Sequence, residues 1–417
     1  MVVRQTGARS DVTRFGDQFL MPGRNGASFA ALPGTVMHAL TGEGGPPIEG
    51  LEGRYDRVVV LLLDGFGRRA LERHMDHPFL RRFADEGAIL PLTSQFPSTT
   101  AAHITTIHTG LPVAETGIYG WFMYEPALDR VICPLLFSYG DDRVREGLRA
   151  TGVDPSALFP FRTLHQELGD LGVPTAVFQD AAFTPSSFSD AMLRGAGHVT
   201  GCVTLAHAVV ALDNELQRQS KLYAFLYQGG IDVIGHMFGP SSPEYSAEAD
   251  GRLTLLERLL IPRLRALPGS TLLLLTSDHG HVDVDPDGTV YVNEGWPELA
   301  RHLRTGADGR PLAPAGSSRD LFLHVLDDRL ELVEGRLGEI LAGRAEVHRT
   351  EELVDAGLFG GPVGERFHER VGNLVVLPYA GETVWWRDGN RYAHRFCGHH
   401  GGLTEDELLT YLGALEI

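Results

Sequence analysis

Apolar positions along the chain fall into short continuous runs separated by amphipathic segments. The first strong run is Val58–Leu63 in RVVVLLLDGFG, which is β-branched at its start and stops at Asp64-Gly65. A strand with one wet face alternates, whereas a strand with no polar position is covered on both faces. RRALERHMDHPFLRRFADEG follows as a helical pattern closing at Gly87. The order then repeats. TLHQELGDLG reads as a helix before the strand VPTAVFQ, and ALDNELQRQS as a helix before KLYAFLYQ, which ends near Gly229-Gly230. LTLLERLLIPRLRAL reads as a helix before STLLLLTSDHG, a strand ending at Asp278. Helices alternating with largely apolar strands predict an α/β fold with a mostly parallel central sheet and helices on both faces. Such sheets bind ligands at the carboxyl ends of their strands, and Asp64, Asp232 and Asp278 all fall there.

Residues 1–50, rich in Gly, Pro and polar side chains, read as an N-terminal strap. Residues 51–300 and 390–417 form the expected core. Between them, over 301–389, loops lengthen, RLELVEGRLGEILAGR adds a helix and NLVVLPYAGETVWW looks like strands. That stretch predicts a smaller α+β lid subdomain. The chain closes through HRFCGHHGGLTEDEL into a short expected helix, with Thr404 as its cap.

A net charge of −18 over 417 residues narrows the partners. Such a surface repels nucleic-acid backbones and anionic membranes, so neither duplex nucleic acid nor a membrane is an expected partner. An anionic small molecule stays open, because bound cations set the sign of a local field. Cys133, Cys202 and Cys397 are too few and too scattered for a disulfide framework. The first residues carry no secretory-type apolar segment, and no run has the length of a membrane span. The expectation is a soluble cytoplasmic protein, and a homodimer is left open.

Five segments carry candidate chemistry. Asp64, directly after a buried strand, is either a helix cap or a carboxylate facing a cation. Asp232 and His236 in GGIDVIGHMFGP are spaced i, i+4, which on a helix puts both side chains on one face. An oxygen and a nitrogen ligand so placed suit zinc or a similar ion, the alternative being a buried histidine beside a cap. Asp278 and His279 sit at a strand-to-loop corner where both can turn to one side, with His281 and Asp283 as spares. His399 and His400 stand among glycines, either as ligands or as part of a solvated loop. In FPSTTAAHITTIHTG the hydroxyls of Ser98, Thr99 and Thr100 enter a helix. A hydroxyl there meets free amides and a positive dipole end, a place suited to phosphate and to a nucleophile. Capping by Ser98 or Thr99 is the plainer reading. Three strand-end carboxylates, nearby histidines and one hydroxyl are the inventory for two cations clamping an in-line displacement at phosphorus.

In this order and over most of the chain, LLLDGFG, FPSTTAAHITTIHTGLPVAETGI, YQGGIDVIGHMFGP, TSDHG and GHHGGL resemble the alkaline phosphatase superfamily, nearest its type I phosphodiesterase/nucleotide pyrophosphatase branch. In that family the nucleophile precedes the Thr of a T-G pair by nine residues, which from Thr109-Gly110 makes Thr100 the match and Thr99 the fallback. The resemblance implies one metal held by Asp64, Thr100, Asp278 and His279, and a second held by Asp232, His236 and His400, with His399 as substitute. It implies two divalent cations, zinc first and manganese second. The implied activity is phosphodiester or nucleotide pyrophosphate hydrolysis through a phosphothreonine, with a small phosphate ester as substrate. A phosphomonoesterase or phosphonate hydrolase of the superfamily is the alternative, and a non-catalytic metal-binding protein of the same fold the second. A sulfatase is excluded, since Cys133-Pro134 lacks the rest of the formylglycine motif. Two departures stand out: Ala101 replaces the aromatic residue that stacks on a base, and Gly120 or Trp121 stands where a phosphate-binding Asn is expected. Tyr119, Trp121, Phe122 and Tyr124 are then candidates for the leaving-group pocket, with core packing as their alternative. Arg162 is a candidate cation over a third phosphate oxygen.

Overall fold

A computed structural model describes residues 13–23, 26–45, 47–142, 144–389 and 391–417. The apolar runs become seven strands: β1 (Arg57–Leu63), β2 (Ala88–Thr93), β3 (Thr175–Asp180), β4 (His198–Cys202), β5 (Leu222–Gln228), β6 (Thr271–Thr276) and β7 (Leu409–Glu416). They join in the order β2-β7-β6-β1-β5-β3-β4. β7 runs antiparallel to both of its neighbours, and every other pairing is parallel. The carboxyl ends of β1, β5 and β6 therefore share one edge. Because β7 runs the other way, residues just before it arrive at that same edge.

Side-chain alternation along β1 explains its lack of polar positions. Val59, Leu61 and Leu63 pack under α3 (Leu205–Arg218) and α5 (Pro243–Leu255). Val58, Val60 and Leu62 face α1 (Leu32–Thr41) and α2 (Thr100–Thr109). The strap thus contributes a packed helix, α1; its first twelve residues lie outside the described ones. A further helix, α4 (Gly230–Phe238), leaves β5 directly. No helix among the described residues is long and apolar enough to cross a membrane. The described residues contain no disulfide.

Two local expectations are corrected. The single helix expected after β1 is two, Arg68–Arg73 and Pro78–Glu86. His77 caps the second through its Nδ1, 3.1 Å from Phe79 N, and Pro78 cannot continue the first. The expected closing helix is one turn, Glu405–Leu408, followed by strand β7. The cap is legible, but LLTYLGALEI is apolar except at Thr410 and Glu416, and such a run has no period to separate strand from helix.

Within the expected lid stretch lies a four-stranded antiparallel sheet, ordered Ala315–Ser317, Asp320–Leu323, Leu374–Pro378, Ala345–Arg349. The helix Leu330–Ile340 packs on it through Val333 and Leu337. A small sheet over Met123–Tyr139, not expected from sequence, adjoins it where Phe122 bridges Gly316.

The core also buries histidines that carry no charge. His165 Nε2 lies 3.1 Å from His108 Nδ1, and its Nδ1 lies 3.0 Å from Thr175 Oγ1. Burial pushes His165 down to about 4 and His108 further. Unfolded histidine titrates near ~6.5, so below that pH the unfolded chain takes protons these sites refuse. Their contribution is complete above that value and is lost as pH falls to the folded values, at about 1.4 kcal/mol per pH unit and group. In chelator-treated protein, His165→Gln should flatten the fall in urea midpoint between roughly pH 6.5 and 4.5. An unchanged slope would count against this account.

Candidate active site

Four loops meet at the shared sheet edge. Asp64 leaves β1 with its amide on Gln228 O at 3.0 Å, and the Tyr227 hydroxyl donates to its Oδ2. Asp278 and His279 follow β6 after the pleat has ended at Thr276, so consecutive side chains turn the same way. His279 Nε2 lies 3.2 Å from Asp64 Oδ1 and 3.4 Å from Asp278 Oδ2.

The three hydroxyls at the start of α2 separate by orientation. Ser98 Oγ donates to Gly402 O at 2.8 Å, and Thr99 Oγ1 to Tyr119 O at 2.7 Å; both are buried. Thr100 Oγ1 alone faces the carboxylates, 3.1 Å from His279 Nε2 and 3.5 Å from Asp64 Oδ1. Thr99 occupies the N-cap position with no side-chain cap bond. The first-turn amides of α2 are therefore left for a ligand with negative charge.

Beside this group, α4 carries Asp232 and His236 on one face, as their spacing predicted. His236 Nε2 is 3.5 Å and His400 Nε2 3.7 Å from Asp232 Oδ1. His281 comes closer, at 2.8 Å. His236, His279 and His400 share a further feature. Each places Nδ1 on a backbone carbonyl: Gly398 at 2.8 Å, Gly280 at 3.1 Å and Ser98 at 2.8 Å. A carbonyl only accepts, so the neutral ring carries its proton on Nδ1 and keeps the Nε2 lone pair for a cation. His399 instead holds its Nδ1 against the backbone of His400.

The electrostatics call for positive charge. Burial, with Asp64 alongside, pushes the Asp278 carboxyl well above the usual carboxylate range. Its Oδ2 is buried and accepts no hydrogen bond from the described residues. Burial would lower His279, yet Asp278 and Asp64 push it up to about 10. Burial raises Asp232, but His236 and His281 more than offset this and hold it below the usual range. Asp64, Asp278 and His279 offer ligand atoms within 4.8 Å of one another, as do Asp232, His279, His281 and His400. An orphaned carboxylate oxygen, clustered carboxylates and pre-oriented imidazoles fit a divalent metal.

Above these residues opens a cavity of about 780 Å³. Trp121, Phe183, Trp385 and Phe396 supply rings to its wall, and Arg145 and Arg395 line it with no ion-pair partner among the described residues. Ala101 lies on the floor, so no ring enters from that position. Tyr119 does not reach the cavity; it is buried against Phe322 with its hydroxyl 3.4 Å from Arg370 O. Tyr124 is likewise turned away, donating to Asp129 Oδ1 at 2.8 Å. Arg162 is also displaced: it pairs with Asp170 and Glu167 on an exposed surface, because those acids lie along the same helix turn. Sequence reasoning missed Tyr227 and the wall made by Trp385 and residues 391–396. Tyr227 carried a signal, being the last aromatic residue before Gly229-Gly230; the wall carried none.

The family model for type I phosphodiesterase/nucleotide pyrophosphatase matches residues 58–403. Murine ectonucleotide pyrophosphatase/phosphodiesterase 5 superposes with a TM-score of 0.63 at 18% identity, over 86% of this chain and 87% of that one. The human counterpart gives 0.61 at 18%, with the same coverage. Phosphonoacetate hydrolase from Sinorhizobium meliloti 1021 gives 0.60 at 18%, over 97% of this chain and 92% of that one. A search of curated sequences returns no match. With the family model spanning most of its length, the chain belongs to the type I phosphodiesterase/nucleotide pyrophosphatase family, phosphoric ester hydrolases of the alkaline phosphatase superfamily.

Proposed function

We propose that this hydrolase is a phosphodiesterase acting through a covalent phosphothreonine at Thr100. The observation that carries the reading is the placement of Thr100 Oγ1, 3.1 Å from His279 Nε2 at the uncapped start of α2, on the floor of the ring-walled cavity. A bare phosphate uses little of that volume. The remainder suits an organic group on an ester oxygen, which ranks a diester above a monoester. The monoester alternative also loses Arg162, its candidate cation.

Family members use divalent metal ions. Asp64, Thr100, Asp278 and His279 would hold one, and Asp232, His236 and His400 the other. Mixed carboxylate and imidazole donors favour zinc, then manganese. Bound there, such ions lower the pKa of a hydroxyl and offset charge on a leaving oxygen. The chain's own groups do the rest. Thr100 Oγ1 attacks phosphorus in line, and the bond from phosphorus to the leaving oxygen breaks as the new one forms. First-turn amides of α2 face the charge on the non-bridging oxygens. Water then attacks the phosphothreonine from the side the alcohol left, which restores Thr100.

The murine neighbour is described in an inactive form with AMP, and the Sinorhizobium neighbour with phosphonoacetate. For this chain a nucleotide would have to stack on Trp121, Phe183, Trp385 or Phe396, since Ala101 offers no ring. The test compares bis(p-nitrophenyl) phosphate, p-nitrophenyl phosphate and phosphonoacetate, with acid quench and peptide mass spectrometry. The expected result is preferred turnover of the bis-ester and a nitrophenylphosphoryl adduct on Thr100. Preference for the mono-ester, or an adduct on another residue, would overturn the reading.

A further inference from the structure

His281 is a histidine at this edge that the ligand sets leave unused. It is 3% exposed and sits between His279 and the short strand Val282–Asp283. Its Nε2 lies 2.8 Å from Asp232 Oδ1, nearer than any other imidazole. Its other nitrogen sets it apart. Nδ1 is buried and has no hydrogen-bond partner among the described residues, whereas the Nδ1 of His236, His279 and His400 each meets a carbonyl. A ring whose Nδ1 meets no acceptor gains nothing from a proton there, so the neutral tautomer carries it on Nε2 and donates to Asp232. That nitrogen then has no lone pair for a cation.

The backbone leaves a slot of this ring's size. A Cβ on Gly65 would come within 2.8 Å of His281 Nε2, and one on Gly235 within 3.1 Å of its Cε1. Gly65 has φ +70°, and Gly235 belongs to α4, the helix that carries Asp232 and His236. Tyr245 closes the slot by donating to Gly65 O at 2.7 Å.

We propose that His281 is a positioning residue for the second cation site: its Nε2–H holds Asp232 Oδ1, so that the carboxylate presents a fixed lone pair to the ion without His281 binding it. The inference rests on the two-cation reading above. Outer partners that orient a ligand typically change metal affinity by about 10–100-fold.

The experiment measures zinc uptake by the full chain, by competition with a chromophoric chelator, for wild type, His281→Met and His281→Gln. Thermal unfolding of the chelator-treated forms checks the fold. Met keeps the volume without a donor, and Gln places an amide N–H near the Nε2 position. The expected result is loss of affinity for the second ion by about 10–100-fold in H281M, an unchanged first ion, and recovery in H281Q. Unchanged uptake by H281M would overturn this inference alone. An equal loss in H281Q and H281M would also overturn it, by making His281 a ligand. A wild type that takes up fewer than two ions would overturn the two-cation reading and this inference with it.

Discussion

Thr100→Ala should remove turnover, on the order of 10⁴-fold or more in kcat, while the protein stays folded and keeps its metals. The size of the loss follows from chemistry. Without Oγ1 no side-chain oxygen faces the phosphorus: Ser98 donates to Gly402 O, and Thr99 to Tyr119 O. The insensitivity of the fold follows from position. Thr100 is the first helical residue rather than the N-cap and is part-exposed, so its methyl and hydroxyl contribute within about 0.5 kcal/mol of stability. Thr99→Ala should do the reverse. It loses a buried hydrogen bond worth about 1 kcal/mol and retains turnover. Thr100→Ser keeps the nucleophilic oxygen and should stay active. The measurement is kcat on a chromogenic diester, with metal content and urea midpoint alongside. Full turnover by metal-loaded T100A would remove Thr100 from the chemistry.

The parts of this site that the sequence announced are those where local physics fixes position. Val58–Leu63 is a strand because both of its faces are covered, which leaves no polar residue until Asp64. Asp232 and His236 share a face because helices repeat as they do. His400 was harder. Its place at the edge depends on β7 running antiparallel, and a covered strand has no alternation that separates it from a helix. The ring-bearing wall of Trp385 and Phe396 is invisible for another reason. It is brought over the site by tertiary packing from nearly three hundred residues after Thr100 in sequence. Arg162 illustrates the converse error: a cation placed by sequence position is claimed by the nearest acids, here Asp170 and Glu167.

Arg319→Met should cost about 3–5 kcal/mol of stability, a large share of a typical total of ~5–15 kcal/mol. Arg319 sits in the hairpin turn of the small sheet and is fully buried. Its guanidinium forks onto Glu407, Nε to Oε1 at 2.9 Å and Nη2 to Oε2 at 2.8 Å, and donates to Tyr379 O at 2.8 Å. Glu407 in turn accepts from Gly402 N at 3.0 Å and from the Thr404 hydroxyl. Burial pushes its carboxyl up, but Arg319 and these donors outweigh that and hold it below the usual range. Removing Arg319 strands a buried carboxylate, whereas removing the charge from both partners does not. Arg319→Met combined with Glu407→Gln should therefore lose less than the sum of the single changes, read from urea midpoints as a double-mutant cycle. The pair also ties the small sheet to the Gly401-Gly402 turn that directly follows His400. R319M should thus weaken cation binding as well as the fold, and the double variant should recover part of both. Additive losses, or metal affinity untouched in R319M, would separate the hairpin from the site and leave the ion pair as a local anchor.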